Sequence, residues 1–573
     1  MNVTIGPSAP VPAAARPDPK PPFEELVDNT PISSLTKMKS REWERWLNKG
    51  YGWEFPDLAN RILDGIEKGV PIDYTGDRRQ SRFGRNPSIP DEYVAKVTAV
   101  IEDDVRQLKK AGPFARQPFE FFAVSPVSAV PKKNSTKIRV VHNLSFPFHG
   151  DSVNESIVDE YLPLSSFGHA ARAVRELGKG CFLVKLDVEA AYKQVPVRRE
   201  DWFLLGFMWK GKWYYERVLP FGLRSSCRLW EMFATALHYF FAKSLNIPFH
   251  RIVVHYVDDF LFVVKIKDDA VRLRDGALRL CATLGIPMSE DKTEGPVTCL
   301  TFLGIELDTI AMEARLPAAR LLSLQQLCRD WVRKDHATIK ELQSLTGLLN
   351  FACYVVRPGR FYLRRIIDHT VAIRRIAHSD KVPFPMDGAV CADIQWWIDF
   401  LPTWKGHSLL YELEWQQSER IELFTDACLT GYGGRFGQSF FYGRWSPAQL
   451  AAAMRDSRES MPFLELLALV MAAAAWGEQW TAKKITFRCD CQPVVQAISK
   501  GSSSSPHTMH LLRTLSSLAC KHGFDFQCEH IPGVSNRAAD ILSRAGDGPE
   551  FRAECPNAFP SPAQVPSIPL LQC

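Results

Sequence analysis

Apolar and polar positions divide this 573-residue chain into blocks of different character. From about residue 115, short apolar runs are broken by Pro, Gly and Asn with helical stretches between them, an α+β mixture that continues to about 310. Within it, Phe182-Leu183-Val184-Lys185-Leu186 reads as a buried strand ending at Asp187. Farther on, Ile252 to Tyr256 and Phe260 to Val264 flank Asp258-Asp259, a pattern that predicts a β-hairpin with two carboxylates at its tip. A helical, basic segment follows. There Thr338 and Glu341 form a capping-box pattern, and Ile339, Leu342, Leu345, Leu349 and Ala352 mark one apolar face. A second strand-rich unit begins near Arg420 and ends near Arg544. It has a strand carrying Asp426, a bend at Gly431-Tyr432-Gly433-Gly434 and a helix in which Glu465 has apolar neighbours on both sides. A strand reaching Asp490 and a loop leading to Asp540 complete it.

The two ends differ. Residues 1–35 and 546–573 are Pro-rich and read as disordered, while 36–114 reads as a charged helical extension containing Glu42-Trp43-Glu44-Arg45-Trp46. No internal repeat is visible.

Composition changes this picture little. Hydrophobic residues at 46% and charged ones at 23% fit folded protein, and a length of 573 residues exceeds a single core. The net charge of +6 permits a nucleic-acid partner without arguing for one. The fourteen cysteines include no CxxC pair or zinc-type spacing, which predicts a reducing, intracellular setting. Cys489 and Cys491 are expected to pack from one face of a strand that turns Asp490 to the other. The N-terminus has no signal-peptide pattern, and the longest apolar run, Leu466 to Trp476, is shorter than the ~20 residues that cross a bilayer, so no membrane is expected.

An Asp pair in a turn is usually ordinary turn chemistry. Crowded carboxylates repel, however, and hard divalent cations relieve that repulsion while bridging to phosphates. With Asp187 from another strand end, Asp258 and Asp259 could form a two-metal site for in-line phosphoryl transfer. The neighbours decide between these readings. Tyr256-Val257-Asp258-Asp259 is the YxDD motif of reverse transcriptases, and Asp187 followed by Tyr192 resembles their first palm motif. Leu219-Pro220-Phe221-Gly222-Leu223-Arg224 resembles the LPFGL-type motif under the incoming nucleotide. Ser125-Pro126-Val127 through Lys132, Lys133 and Arg139 resembles the fingers hairpin whose cations grip triphosphate, a task suited to Arg. Leu284-Gly285-Ile286-Pro287 with Lys292 resembles the fourth motif, in which Lys292 could protonate the pyrophosphate leaving group. Phe302-Leu303-Gly304-Ile305 resembles the primer grip. Arg357, Arg360, Arg364 and Arg365 would then face the nucleic-acid backbone from the thumb.

Many relatives have Asp where this chain has His142, and Pro at Cys227. His142-Asn143-Leu144-Ser145-Phe146-Pro147, Ser152-Val153-Asn154 and Arg357-Pro358-Gly359-Arg360 instead resemble the tyrosine-recombinase (DIRS-like) group.

In the second unit, the order strand-acid, helix-acid, strand-acid, loop-acid in Asp426, Glu465, Asp490 and Asp540 resembles the ribonuclease H site. His530, in His530-Ile531-Pro532-Gly533, resembles the mobile histidine that assists proton transfer or product release.

The resemblance implies a retroelement reverse transcriptase with a right-hand polymerase followed by an α/β ribonuclease H-like domain. Fingers and palm would span 115–310, thumb and connection 311–415, and the ribonuclease H-like domain 416–545. Asp187, Asp258, Asp259, Asp426, Glu465, Asp490 and Asp540 would hold two Mg²⁺ per site, or Mn²⁺. Lys132, Lys133, Arg139, Tyr192, Phe221, Gly222 and Lys292 would surround a deoxynucleoside triphosphate. RNA template, DNA primer and RNA-DNA hybrid are the implied partners. An RNA-dependent RNA polymerase shares the palm, but the ribonuclease H pattern and the bulk of Tyr192 argue against it. A non-enzymatic remnant is weakened by the presence of all seven acids.

Overall fold

The computed structural model describes residues 28–131, 138–148, 150–244, 253–377, 379–404, 406–408, 423–455 and 460–570. The apolar run Phe182–Asp187 is a central strand of a four-stranded sheet in the order 294–297, 182–187, 259–264, 253–256. Because the strand is central, its side chains are covered on both faces; Leu183, Val184 and Leu186 are fully buried. Asp259–Val264 pairs antiparallel to both neighbours, with Asp259 opposite Asp187 on one side and Tyr256 on the other. The helix Ser226–Ser244 packs behind this sheet through Trp230, Phe233, Leu237, Phe240 and Phe241. A five-stranded sheet built from 82–83, 123–124, 206–209, 212–216 and 110–114 forms the neighbouring lobe. The hairpin Val127–Pro131 with Ile138–His142 projects from it.

The segment 36–114 is not a separate extension. Trp43 is fully buried and its indole donates to Leu284 O at 3.1 Å, while its ring meets Phe233 and Phe240 edge-on. Two of its strands, Arg82–Phe83 and Lys110–Phe114, belong to the five-stranded sheet. Its aromatics therefore serve as core for the polymerase body, which begins near residue 28, where Asp28 bonds Tyr215 and Arg217. Residues 1–27 lie outside the described residues.

After the palm, Cys299–Phe302 and Ile305–Asp308 form the expected primer-grip-like hairpin, extended by Glu313–Arg315. In the helix Ile339–Ala352, Glu341 N donates to Thr338 Oγ1 (3.2 Å) and Thr338 N to Glu341 Oε2 (2.9 Å), closing the capping box. The thumb arginines depart from expectation. Arg357 pairs with Asp525 of the C-terminal unit, Arg365 with Asp393 and Arg364 with Asp368. Three of the four cations are thus committed to protein carboxylates.

The C-terminal unit has antiparallel strands Leu423–Ala427, Gly431–Phe436 and Ser439–Arg444, with the parallel pair Lys484–Cys489 and Asp525–His530 beside them. The helix Ser460–Trp476 runs through its core. By length and apolarity alone this helix could cross a bilayer, but its residues from Phe463 to Ala473 are buried against strands and helices of the unit. The stretch 546–570, expected to be disordered, is ordered. Pro549–Glu554 is a short helix whose Phe551 is fully buried against Phe440, and Phe559 N and Ala563 N donate to Gln438 O and Phe440 O along the exposed sheet edge. Proline suits such an edge because it needs no ladder donor of its own. Phe551→Ala should therefore cost the C-terminal unit about 3–5 kcal/mol. Chemical denaturation followed in that unit checks it; an unchanged midpoint would mean that the tail is not docked.

Candidate active sites

Two carboxylate centres emerge, one in each unit. In the first, Asp187 closes its strand and Asp259 opens the adjacent one, so backbone pairing alone brings them side by side. Asp258 comes from the hairpin tip, where its carbonyl accepts from Val188 N at 3.0 Å. The tip is tight: Val257 has φ +56°, a left-handed conformation costing a β-branched residue about 1–3 kcal/mol. Trp230 holds it there by donating its indole N–H to Val257 O at 2.8 Å.

Asp187 is buried, and Lys292 Nζ sits 2.9 Å from both of its oxygens, with Ser289 Oγ donating at 2.7 Å. Lys292 therefore grips a palm acid while its side chain stays largely exposed at the site. Burial, then Asp258 and Asp187, push the Asp259 carboxyl up to about 6; burial and Asp187 raise Asp258 as well. These are three oxygen donors whose mutual repulsion a hard divalent cation would relieve, so the residues fit Mg²⁺ or Mn²⁺.

Beside them, the Tyr192 and Phe221 rings meet at 5.3 Å, and the Arg139 guanidinium lies 4.6 Å over Phe221. Burial, then the neighbouring Cys227 thiol, raises the Tyr192 hydroxyl, so the residue that departs from the family pattern sits beside it. Gly222 has φ +108°, and a Cβ there would lie 2.0 Å from His142 O, so only glycine fits. Asn154 fixes this loop by donating to Gly222 O and Ser145 Oγ, both at 2.8 Å, and accepting from Arg224 N at 2.9 Å. Lys132 and Lys133 lie outside the described residues.

In the second centre, Asp426 lies on the first strand, and Ser543 Oγ donates to its Oδ2 at 2.6 Å. Glu465 Oε1 accepts from Ala427 N at 3.2 Å, while its Oε2 is buried without a hydrogen-bond partner among the described residues. Ligand atoms of Glu465, Cys489 and Asp490 lie within 4.8 Å of one another. Burial raises Asp426 to about 6, and burial with nearby Cys489, Asp426 and Asp490 raises Glu465 well above the usual range. An unpartnered buried carboxylate oxygen beside two further acids again fits a hard cation. Asp540 stands on the helix Arg537–Ala545, bonded by Arg544 at 2.6 Å. His530 is exposed at the end of its strand, its Nε2 3.2 Å from Asp490 O. The strand ends at Cys489, so Cys491 instead caps the next helix; Cys489 is a buried, free thiol with Cys528 beside it.

Sequence reasoning missed Ser289, Trp230 and Ser543. None has a chemistry of its own at this site; each acts by holding an acid or its turn. Asn536, quoted only as part of a pattern, donates to Thr425 O at 2.8 Å and so fixes the strand that carries Asp426.

Asp259 and Asp426 titrate near 6 rather than near 3.8, so the folded state favours their protonated forms. Their contribution to stability is present at low pH and is lost as pH rises through about 6. Mg²⁺ should therefore raise the unfolding temperature more at pH 7.5 than at pH 5.5, because binding needs the ionised acids. Equal stabilisation at both pH values would contradict these assignments.

Residues 130–307 match the family described as reverse transcriptase (RNA-dependent DNA polymerase), and residues 448–546 match one described as reverse transcriptase-like. Among curated proteins, the chain is 22% identical over 435 residues to Polyprotein P3 of Commelina yellow mottle virus, covering 74% of this chain and 20% of that protein. It is 22% identical over 562 residues to the Transposon Tf2-3 polyprotein of Schizosaccharomyces pombe, covering 92% of this chain and 37% of that protein. The chain thus spans only about a fifth to just over a third of these relatives. A solved foamy viral protease-reverse transcriptase in complex with RNA/DNA hybrid is 17% identical with a TM-score of 0.48, covering 89% of this chain and 64% of that one. The chain carries a reverse transcriptase domain followed by a ribonuclease H-like domain.

Proposed function

We propose that this chain copies RNA, and then DNA, into DNA for a retroelement, and that its C-terminal unit hydrolyses the RNA strand of the resulting hybrid. The observation that carries this reading is the meeting of Asp187, Asp258 and Asp259 on adjacent strand ends within the segment that matches the reverse transcriptase family.

Asp187, Asp258 and Asp259 would hold two Mg²⁺ (or Mn²⁺) in the palm, and Asp426, Glu465, Asp490 and Asp540 would hold two in the second site. When bound, these ions neutralise developing negative charge and favour the ionised form of the attacking oxygen. Lys292 and Ser289 orient Asp187. Arg139, lying over Phe221, takes the triphosphate, and Tyr192 with Phe221 forms the floor on which the incoming sugar rests. The primer 3′-hydroxyl then attacks the α-phosphate in line, and pyrophosphate leaves. In the second site water attacks the RNA phosphodiester and the 3′-oxygen leaves, with His530 at the rim assisting proton transfer or product release. Contacts to the 2′-hydroxyl select RNA over DNA.

The finer assignment, to the tyrosine-recombinase (DIRS-like) group, rests on His142 to Pro147, Ser152 to Asn154 and Arg357 to Arg360. A tyrosine-recombinase reading frame beside this coding sequence supports it, and an integrase frame in its place contradicts it. The free thiols among the described residues suit an intracellular setting.

Poly(rA) primed with oligo(dT) tests the polymerase directly. Mg²⁺-dependent incorporation of dTTP is expected; incorporation of UTP in preference, or of neither, overturns the reading.

A further inference from the structure

Tyr192 belongs to a short turn whose far end is tied down by Gln194, which donates to Glu189 O at 3.0 Å and accepts from Thr36 Oγ1 at 2.7 Å. Ala190 takes a left-handed φ of +47°, and Ala191–Gln194 forms one 3₁₀ turn. The next side chain, Lys193, leaves the site and enters a buried row of charges. Its Nζ lies 2.5 and 2.6 Å from the two oxygens of Asp104, on the helix Asp91–Arg106 of the N-terminal segment. Asp104 Oδ2 is 3.3 Å from Lys110 Nζ, and Lys110 bonds Glu216 Oε1. Glu216 Oε1 lies 3.9 Å from His142 Nδ1. The side chains of Asp104, Lys110, Glu216 and His142 are all at most 6% exposed.

The row ends where it began, at the nucleotide pocket. His142 N donates to Phe221 O at 3.0 Å, and His142 O lies against Gly222. Its Nε2–H donates to Gly206 O at 3.0 Å, and burial, then the Lys110 charge, pushes its pKa down to about 3, so the ring is neutral. The four charged members, Lys193, Asp104, Lys110 and Glu216, therefore cancel. Burial disfavours the Asp104 charge, but Lys110 and Lys193 outweigh it and hold its carboxyl below the usual range. A buried row of this kind is poor evidence of stability, because desolvation offsets most of the attraction. It does, however, fix geometry, since removing one member strands the others.

We propose that Lys193 and Asp104 are positioning residues for sugar selection: they brace the Tyr192 turn at a fixed height against the Phe221 platform, which His142 holds from the other end of the row. This rests on the proposed role of Tyr192 as the barrier to a ribose 2′-hydroxyl. Neither residue touches the nucleotide. With the brace cut, the Tyr192 ring can recede, and a ring that recedes no longer excludes the 2′-hydroxyl.

The test compares dTTP with UTP incorporation in the full chain for Lys193→Met, Tyr192→Val and the double variant. Lys193→Gln runs alongside, a shorter, uncharged side chain that also cuts the ion pair to Asp104, in case the methionine variant does not fold. Primer-template affinity serves as the check on folding. Lys193→Met should lower discrimination against UTP by about tenfold, a coupling typical of neighbouring residues. The loss should appear mainly as a lower KM for UTP, with kcat for dTTP changed less. Lys193→Arg should restore the parental ratio, and Lys193→Met should add nothing to Tyr192→Val. If Tyr192→Val relaxes selection while Lys193→Met and Lys193→Gln do not, the brace is wrong and the Tyr192 reading stands. If Tyr192→Val itself leaves selection strict, both fall.

Discussion

Asp258→Asn should abolish nucleotide addition and leave cleavage of an RNA-DNA hybrid at the parental rate; Glu465→Gln should do the reverse. The separation follows from construction. Asp258 sits at a hairpin tip over the palm core, Glu465 on a helix inside the core of the C-terminal unit, and the two centres share no residue. Each substitution keeps the side chain's shape and removes one charged metal ligand. Losing such a ligand removes several kcal/mol of transition-state stabilisation, so each affected activity should drop by at least about 10³-fold. Glu465→Gln has a second consequence. Its Oε2 is buried without a hydrogen-bond partner among the described residues, and an amide there avoids burying charge, so the metal-free C-terminal unit should be at least as stable as the parent. Steady-state extension and cleavage assays on both variants check this. Loss of both activities from one change, in protein that still binds primer-template, would mean that the two centres are not independent.

Tyr192→Val carries the other large effect. The ring packs against Phe221 at 5.3 Å with Cys227 beside its hydroxyl, so it cannot easily swing aside for a ribose. Discrimination by steric clash disappears when the clashing atoms are removed. The variant should keep deoxynucleotide addition at reduced rate and accept ribonucleotides at least about tenfold better in relative kcat/KM, or about 1.4 kcal/mol. A variant that still makes DNA and excludes ribonucleotides as strictly as the parent would show that Tyr192 only packs the palm.

Six of the seven acids stood out in the sequence because each breaks a pattern, while Asp540 came only with the family resemblance. Asp187, Asp426 and Asp490 stand at or just past the end of an apolar strand, Asp258-Asp259 interrupts two of them, and Glu465 is a charge inside an otherwise apolar helix. Their partners were not legible. Nothing in the spacing of Lys292 says that its ammonium turns back onto Asp187, and a serine such as Ser289 or Ser543 looks the same whether it faces water or a carboxylate. The same limit explains the thumb: four arginines suggest phosphates, but the chain supplies Asp525, Asp393 and Asp368 to three of them. The ends were misjudged for a different reason. Proline content signals disorder only when no apolar side chain finds a groove, and Phe551 finds one; the helical segment 36–114 looked separate because the groove that takes Trp43 lies far along the chain. Those burials depend on surfaces assembled from residues more than a hundred positions away, which no local pattern contains.

The most direct measurement uses one substrate for both centres: an RNA template labelled at its 5′ end, annealed to a DNA primer carrying a second label, incubated with the full chain, deoxynucleotides and Mg²⁺. The account predicts that the primer lengthens to the template's end while the RNA is cut to short fragments, and that chelating the metal stops both together. An RNA that stays whole while the primer extends, or extension that proceeds without a divalent metal, would contradict it.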